Sequence, residues 1–276
     1  MAEPEIIRFS SDGGVGEGAA REWIRLFSVS NGSRVFDVSN VSISNVSRVP
    51  DVSNGADASE SADVSKFAGV SERPWLTALS GGRIVRRFFQ ATVNLCRQTN
   101  QSMGNVHFFW GDERCVPPDD PESNFGVAQV DLLQPLNIPA QYVHRIRGED
   151  TPALAAQNAA KDLQSIAPAN EEGQPIFDLI FLGMGEDGHV ASLFPAESES
   201  TRTDKAIYRP VVASKPPPNR ITIGYGVIAA ARNVWVLASG AGKTDALRAS
   251  LRGGNTPLAR VLKSREQTRI FTDVPF

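Results

Sequence analysis

The sequence predicts an α/β fold with a mostly parallel sheet. Predicted strands and helices alternate along the chain, which is the pattern of parallel-sheet architectures. Residues 176–182 form a nearly continuous apolar run, which is typical of a strand buried on both faces of such a sheet. With 276 residues, the chain is long enough to bury a large core.

The N-terminal quarter is predicted to differ from the rest. A flexible glycine-rich start (13–16) precedes a possible short helix over residues 22–27. Residues 28–72 contain a repeat in which the pattern of 33–40 returns at 47–54, with recurring Val-Ser pairs. Two copies are too few to bury a core, so this segment is predicted to be a disordered, low-complexity insertion. We therefore divide the chain into an atypical N-terminal segment, 1–73, and a catalytic domain, 74–276.

From residue 74 onward the hydrophobic pattern predicts strands and helices in turn. The segment after residue 82 places its apolar side chains on one helix face, and residues 153–166 form an alanine-rich helix. Strands are predicted at 75–79, 105–110, 176–181, 207–213, 220–223 and 234–238, with further helices at 125–133 and from about 243 and 257.

The loop after the central strand is the predicted active site. Ligands of open α/β sheets bind beyond the carboxyl ends of the strands, where this loop lies. Gly183, Gly185 and Gly188 allow sharp turns, and Asp187 and His189 lie among them. The three glycines also match the G-x-G-x-x-G dinucleotide pattern. Acidic residues between them and the early Pro195 argue against that reading, and an ordinary turn with a structural histidine is the other alternative.

Composition excludes several classes of function. With 28 basic and 31 acidic residues, no nucleic-acid or membrane surface is expected. No signal peptide or membrane span is recognisable, so we expect a soluble, cytoplasmic protein. Cys96 and Cys115 are read as reduced thiols. His107 is read as a core residue, and His144 as a residue of a loop or a strand edge. No metal-ligand spacing is present, so neither a metal nor a cofactor is predicted.

Four motifs in order carry a family resemblance. Ser-Gly-Gly (80–82) follows the first strand, Gly-Asp-Glu-Arg (111–114) the second, and Gly-x-Gly-x-Asp-Gly-His-x-Ala-Ser-Leu-Phe-Pro (183–195) the third; Lys-Pro-Pro-x-x-Arg-Ile-Thr begins at Lys215. From about residue 75 to near the C-terminus, the chain resembles the 6-phosphogluconolactonases of the glucosamine-6-phosphate isomerase/6-phosphogluconolactonase family. The resemblance implies a three-layer sandwich of modified Rossmann-like type. It implies hydrolysis of 6-phospho-D-glucono-1,5-lactone to 6-phosphogluconate, the second step of the oxidative pentose phosphate pathway.

Lactone hydrolysis needs a base, and phosphate binding needs donors and cations. His189 suits the base because an unperturbed imidazole accepts a proton near pH 6.5, and Asp187 can orient it. A strand, Gly-Gly turn and helix offer backbone N–H groups to an anion. The resulting substrate-binding candidates are Ser80, Gly81, Gly82, Arg114, Asn124, Lys215 and Arg220.

Several alternatives stay open at this stage. Arg114 could instead pair with Asp112 or Glu113. The segment 240–244 resembles a P-loop but lacks its first glycine, and is read as a turn that could line the site. The family usually continues Ser-Gly-Gly with Ser-Thr-Pro, where this chain has Arg83. Amino-sugar phosphate deamination with isomerisation, or sugar-phosphate binding without catalysis, are the alternative functions. The expected partner is a small sugar-phosphate lactone, and the protein is expected to be a monomer or a weak homo-oligomer.

Overall fold

The computed structural model describes residues 3–30 and 73–276, and two sheets organise them. The first has six strands, all parallel, in the order β1-β9-β8-β5-β2-β3. The second is antiparallel, in the order β4-β7-β6. The strands are β1 (Glu5–Arg8), β2 (Trp75–Leu79), β3 (Val106–Trp110), β4 (Asp112–Arg114), β5 (Leu179–Gly183), β6 (Tyr208–Val212), β7 (Asn219–Ile223), β8 (Asn233–Ala238) and β9 (Arg269–Thr272).

Helices connect the strands of the parallel sheet. They are α1 (Asp12–Ser30), α2 (Arg83–Thr99), α3 (Asn124–Ala128), α4 (Pro152–Ile166), α5 (Glu199–Arg202), α6 (Tyr225–Ala230), α7 (Thr244–Leu251) and α8 (Pro257–Lys263). The helix predicted at 125–133 is α3 followed by a π-helical turn over Gln129–Leu133. The predicted mostly parallel α/β fold is confirmed.

The apolar run at 176–182 forms the central strand, as predicted. β5 pairs with β2 on one side and β8 on the other, and residues 179–182 are buried. Because both edges and both faces of β5 are covered, its position within the core is fixed. The loop at its carboxyl end is therefore held at the middle of the sheet's edge.

An aromatic cluster joins helices α1 and α2 to the sheet. The Trp23 ring lies 5.4 Å from that of Phe88 and 5.3 Å from that of Phe181 on β5, between ring centroids. Aromatic pairs at these separations add about 0.5–1.5 kcal/mol to the effect of burial. The apolar residues predicted to share one face of α2, from Ile84 to Cys96, are all buried.

The predicted flexible glycine start is wrong, because these glycines lie inside α1. A Cβ at Gly16 would lie 2.8 Å from the backbone of Arg87, so a glycine here allows α1 and α2 to pack closely. The insertion predicted at 28–72 is also wrong at its start, since α1 continues through Ser30. Residues 31–72, including the Val-Ser repeats, lie outside the described residues. The division at 73 and 74 stays a prediction, although β1 and α1 share the sheet and core of the later residues.

Three strands and a histidine pair were not anticipated. Asp112–Arg114, which the sequence assigned to no element, pairs with β7, and β1 and β9 complete the parallel sheet. His107, read as a core residue, is only half-buried, and its Nδ1 lies 2.9 Å from Nε2 of His144. Within residues 3–30 and 73–276, no helix is both long and apolar enough to cross a membrane.

Candidate active site

A cavity of about 560 Å³ opens at the carboxyl ends of the parallel strands. His189, from the loop after the central strand β5, lines it. The turns after β8 and β9 supply one part of the lining. The segment after β3, together with α3 and β7, supplies another. We call these two parts the ends of the cavity, and His189 lines the cavity with both.

The loop after β5 is folded tightly enough to hold its histidine in place. Gly185 N–H donates to the carbonyl of His189 at 2.9 Å, and Gly188 adopts a φ of 80°. A Cβ at Gly185 would lie 2.1 Å from the imidazole ring, so only glycine leaves room for that ring. Leu258 N–H donates to the Gly188 carbonyl at 3.1 Å and ties the loop to α8.

His189 and Asp187 form the hydrogen-bonded pair that the sequence predicted. Nδ1 of His189 lies 2.5 Å from Oδ1 of Asp187, which also accepts the His189 backbone N–H at 3.1 Å. Partial burial pulls the Asp187 pKa upward, but the His189 N–H and imidazole outweigh it, so this pKa is lowered overall. An ionised carboxylate only accepts hydrogen bonds. Nδ1 is therefore the protonated nitrogen of the neutral ring, which leaves the lone pair on Nε2.

The Ser-Gly-Gly turn ends β2 and leads into α2. Ser80 Oγ accepts the Gly183 N–H at 2.9 Å, so the Ser80 side chain braces the central loop. No side chain caps the N-terminus of α2, whose N-cap is Gly82 with a φ of 100°. A Cβ at Gly81 would lie 1.9 Å from Oδ1 of Asn124. The turn thus presents free backbone N–H groups and packs directly on another candidate residue.

Two cations, Lys243 and Arg83, line the same end of the cavity as the start of α2. Lys243 belongs to the P-loop-like segment, which was read as a turn that could line the site, and it follows β8, the neighbour of the central strand. Its ammonium makes no hydrogen bond or ion pair to any residue that the structure describes. Burial lowers the pKa of Lys243, the charge of Arg83 lowers it further, and Glu186 and Asp273 oppose both.

Arg114 and Arg220 form the second cationic pair, at the other end of the cavity. They lie directly opposite each other on β4 and β7, and both line the cavity. Burial and then the charge of Arg114 lower the pKa of Arg220. The ion-pair partner of Arg114 is Glu122, at 3.1 Å, rather than Asp112 or Glu113, the alternatives that the sequence left open. Like charges opposite each other on paired strands are destabilising, so an anion placed between them would be favoured.

Lys215 and Asp187 line a neighbouring cavity of about 500 Å³, which shares His189, Arg220 and Lys243 with the main one. The other candidates from the sequence line the main cavity. Asp112, which was not singled out as a site residue, also lines it, and its Oδ2 accepts the Ser192 hydroxyl at 2.7 Å. The sequence could have identified Asp112 as a site residue, because it belongs to the Gly-Asp-Glu-Arg motif.

Glu113 organises the end of the cavity that holds Arg114 and Asn124. Its buried carboxylate accepts backbone N–H groups from Arg114 (2.8 Å), Asn124 (2.7 Å) and Phe125 (2.8 Å). Ser123 donates its hydroxyl at 3.2 Å. Asn124 in turn donates its Nδ2 hydrogen to the Asp112 carbonyl at 2.9 Å. Strand β4 and the start of α3 are therefore joined through this one side chain.

Burial raises the pKa of Glu113 to about 7, against the effect of the three N–H donors. A carboxyl whose pKa rises on folding stabilises the protein below its unfolded value of 4.5, and that contribution is lost as pH rises through 7. We expect the stability of the wild type relative to Glu113→Gln to fall by up to about 3 kcal/mol between pH 4.5 and 8. Urea unfolding of both proteins across this range measures the difference. A difference that does not change with pH would show that Glu113 does not titrate there.

The described residues do not favour the dinucleotide reading. Gly183 ends β5, and only the four-residue helix α5 follows the loop before β6. No long helix therefore begins at the third glycine to receive a pyrophosphate. Among residues 3–30 and 73–276, no group of three or more His, Cys, Asp or Glu side chains is arranged to hold a metal ion.

Comparison with known proteins indicates the same family as the motifs do. The family model described as glucosamine-6-phosphate isomerases/6-phosphogluconolactonase matches residues 61–270. A 6-phosphogluconolactonase of Treponema pallidum (strain Nichols) is 39% identical over 175 residues, which are 63% of this chain and 70% of that protein.

Solved structures share the whole fold. The 6-phosphogluconolactonase from Trypanosoma brucei superposes with a TM-score of 0.73 at 25% identity, covering 99% of this chain and 97% of that one. A monomeric glucosamine-6-phosphate deaminase superposes with a TM-score of 0.71 at 15% identity, covering 97% and 96%, and shows the fold alone. The chain therefore belongs to the glucosamine-6-phosphate isomerase/6-phosphogluconolactonase family.

Proposed function

We propose that this protein hydrolyses 6-phospho-D-glucono-1,5-lactone to 6-phospho-D-gluconate, the second step of the oxidative pentose phosphate pathway. The observation that carries the proposal is the His189–Asp187 pair, whose imidazole lines one cavity together with two pairs of cations. A phosphorylated lactone needs a cationic site for its phosphate, and it needs a base and an oxyanion site at C1. The cavity offers all three.

The phosphate is assigned to the end formed by the Ser80–Gly81–Gly82 turn, the start of α2 and Lys243. This end combines uncapped helix N–H groups with an ammonium that makes no hydrogen bond or ion pair to the described residues. Helix N-termini bind phosphate through the same N–H groups and through the helix dipole. At the other end, Arg114 already donates to Glu122, and Arg220 to the Pro217 carbonyl. Fewer donors are free there, so that end suits the smaller charge of an oxyanion.

Catalysis then follows from the assigned positions. Nε2 of His189 takes a proton from a water whose oxygen bonds to the lactone C1. The negative charge that develops on the carbonyl oxygen faces the guanidinium groups of Arg114 and Arg220. When the C1–O5 bond breaks, the imidazolium returns its proton to O5, which becomes a hydroxyl. Asp187 stabilises the imidazolium between these steps and keeps Nδ1 protonated.

Asn124 and Asp112 are assigned to the sugar hydroxyls. Asn124 is 4% exposed and Asp112 5% exposed, and both line the cavity. The hydrogen bonds of Asn124 to Asp112 and of Asp112 to Ser192 fix the orientation of both groups. Lys215 lines the neighbouring cavity. We assign it to attracting the substrate as it approaches rather than to contacting the bound phosphate.

Two other functions remain as alternatives. Deamination of glucosamine 6-phosphate fits the shared fold, and binding of a sugar phosphate without catalysis fits the cationic ends alone. We favour the lactonase because Ala191 to Pro195 has the lactonase form of the loop. In the cell we expect a cytoplasmic enzyme, active as a monomer or weak homo-oligomer.

Two assays separate these functions. The wild type is incubated with freshly prepared 6-phosphogluconolactone while alkali uptake is recorded, and with glucosamine 6-phosphate while ammonia is measured. We expect alkali uptake well above the uncatalysed rate and no ammonia. Ammonia release without lactone hydrolysis would identify a deaminase. Binding of 6-phosphogluconate with neither activity would identify a binding protein.

A further inference from the structure

Arg83 has an unusual position for an arginine. It is the first residue of α2, is exposed, and lines the main cavity. One of its guanidinium nitrogens would lie 3.4 Å from a Cβ built at Gly240, whose φ is 104°. The side chain therefore reaches from the start of α2 to the turn after β8, which also carries Lys243.

No carboxylate in the described residues forms an ion pair with Arg83. Asp12 and Asp273 line the same cavity, and Glu186 lines the neighbouring one. Asp12 pairs with Arg87 at 3.5 Å. Asp273 accepts the Ser239 hydroxyl and the Gly240 N–H, both at 3.0 Å. Glu186 and Asp273 raise the pKa of Lys243, whereas the charge of Arg83 lowers it. Arg83 thus faces a second cation without a compensating partner.

This position is electrostatically unfavourable for the unliganded protein. A helix N-terminus carries a partial positive charge, so cations are disfavoured in the first turn and anions are favoured. The first turn of α2 has no acidic residue and no side-chain cap. Arg97, in the last turn of the same helix, lies at the end where a cation is favoured. The two arginines therefore have opposite expected effects on stability.

We propose that Arg83 is a second cationic ligand of the substrate's phosphate and sets the preference for phosphorylated lactones. The inference rests on the proposed function and assigns a residue where the family usually has a hydroxyl. The phosphate removes the repulsion between Arg83 and Lys243 and offers oxygens that match the guanidinium fork. A bound anion would thus offset the electrostatic repulsion that destabilises the free protein.

The test uses Arg83→Gln, which removes the charge, Arg83→Lys, which keeps it, and Arg97→Gln as the control. Binding is measured by calorimetry with 6-phosphogluconate, which is stable in solution, and with gluconate as the ligand without phosphate. For Arg83→Gln we expect binding of 6-phosphogluconate to weaken about tenfold or more, and gluconate binding to be unchanged. Arg83→Lys should lie between this variant and the wild type. Arg97→Gln should bind both ligands like the wild type.

Thermal unfolding without ligand is the second measurement. If Arg83 had a structural role, its replacement would lower the Tm instead of raising it. Arg83→Gln should raise the Tm by about 1–3 °C, whereas Arg97→Gln should lower it. Unchanged 6-phosphogluconate binding in Arg83→Gln would overturn the proposal. So would a lower Tm accompanied by equal losses for both ligands, which would make Arg83 a structural residue. If the wild type binds 6-phosphogluconate but does not hydrolyse the lactone, the proposed function fails while the role of Arg83 is still tested.

Discussion

His189→Ala should lower kcat for the phosphorylated lactone by about 100- to 10,000-fold, the usual contribution of a general acid–base group. The reason is that Nε2 both takes the proton of the attacking water and returns one to O5. Folding should be retained, because the imidazole is part of a surface loop and 30% exposed. Alkali uptake measures the rate, and the uncatalysed opening of the lactone is subtracted at each pH.

Two variants make this result specific. Asp187→Asn should also lower kcat, because the amide can no longer hold Nδ1 protonated or stabilise the imidazolium. His144→Gln is the matched control, since His144 pairs with His107 and Asp162, none of which lines the cavity. It should leave kcat unchanged. Near-normal turnover in His189→Ala would remove this histidine from the mechanism.

Lys243→Ala should lower kcat/KM for the phosphorylated lactone by about 10- to 100-fold, with little change for unphosphorylated glucono-1,5-lactone. Charge-assisted hydrogen bonds are worth about 1.5–3 kcal/mol, and each 1.4 kcal/mol is a factor of ten. The half-buried ammonium makes no hydrogen bond or ion pair with residues 3–30 and 73–276, so it is available to the phosphate. Steady-state kinetics with both lactones measure the effect.

Arg114→Ala and Lys215→Ala are the comparisons for Lys243. Arg114 is assigned to the C1 oxyanion, so its loss should lower turnover of both lactones. Lys215 lies in the neighbouring cavity and should have the smallest effect. If Arg114→Ala instead affects only the phosphorylated lactone, then the phosphate binds at the Arg114–Arg220 end and our orientation of the substrate is reversed.

The central features of the site could be predicted because they are local in sequence. His189, Asp187 and the three glycines lie within a few residues of a strand whose burial is evident from its composition. The Ser-Gly-Gly turn and α2 were predictable for the same reason. The pattern of a strand followed by a glycine turn is sufficient to predict which residues lie at the sheet's edge.

Features that depend on strand order were not predictable in this way. Lys243 belongs to the site because β8 is adjacent to β5, and Asp273 because β9 is adjacent to β8. The cross-strand pair of Arg114 and Arg220 arises only when β4 pairs with β7, and their separation in sequence gives no hint of it. The glycines of α1 were read as flexible because the close contact of Gly16 with α2 is a tertiary effect that overrides helix propensity.

The ratio of kcat/KM for 6-phosphogluconolactone to that for glucono-1,5-lactone, measured on the wild type, tests the account most directly. A site with His189 between a phosphate end and an oxyanion end predicts a ratio of about 100 or more, since several charged contacts serve only the phosphate. The ratio should fall by about tenfold or more when Lys243 and Arg83 are both replaced, because only the backbone N–H groups of the turn then remain for the phosphate. Equal kcat/KM values for the two lactones in the wild type, or no acceleration of either above the uncatalysed rate, would contradict it.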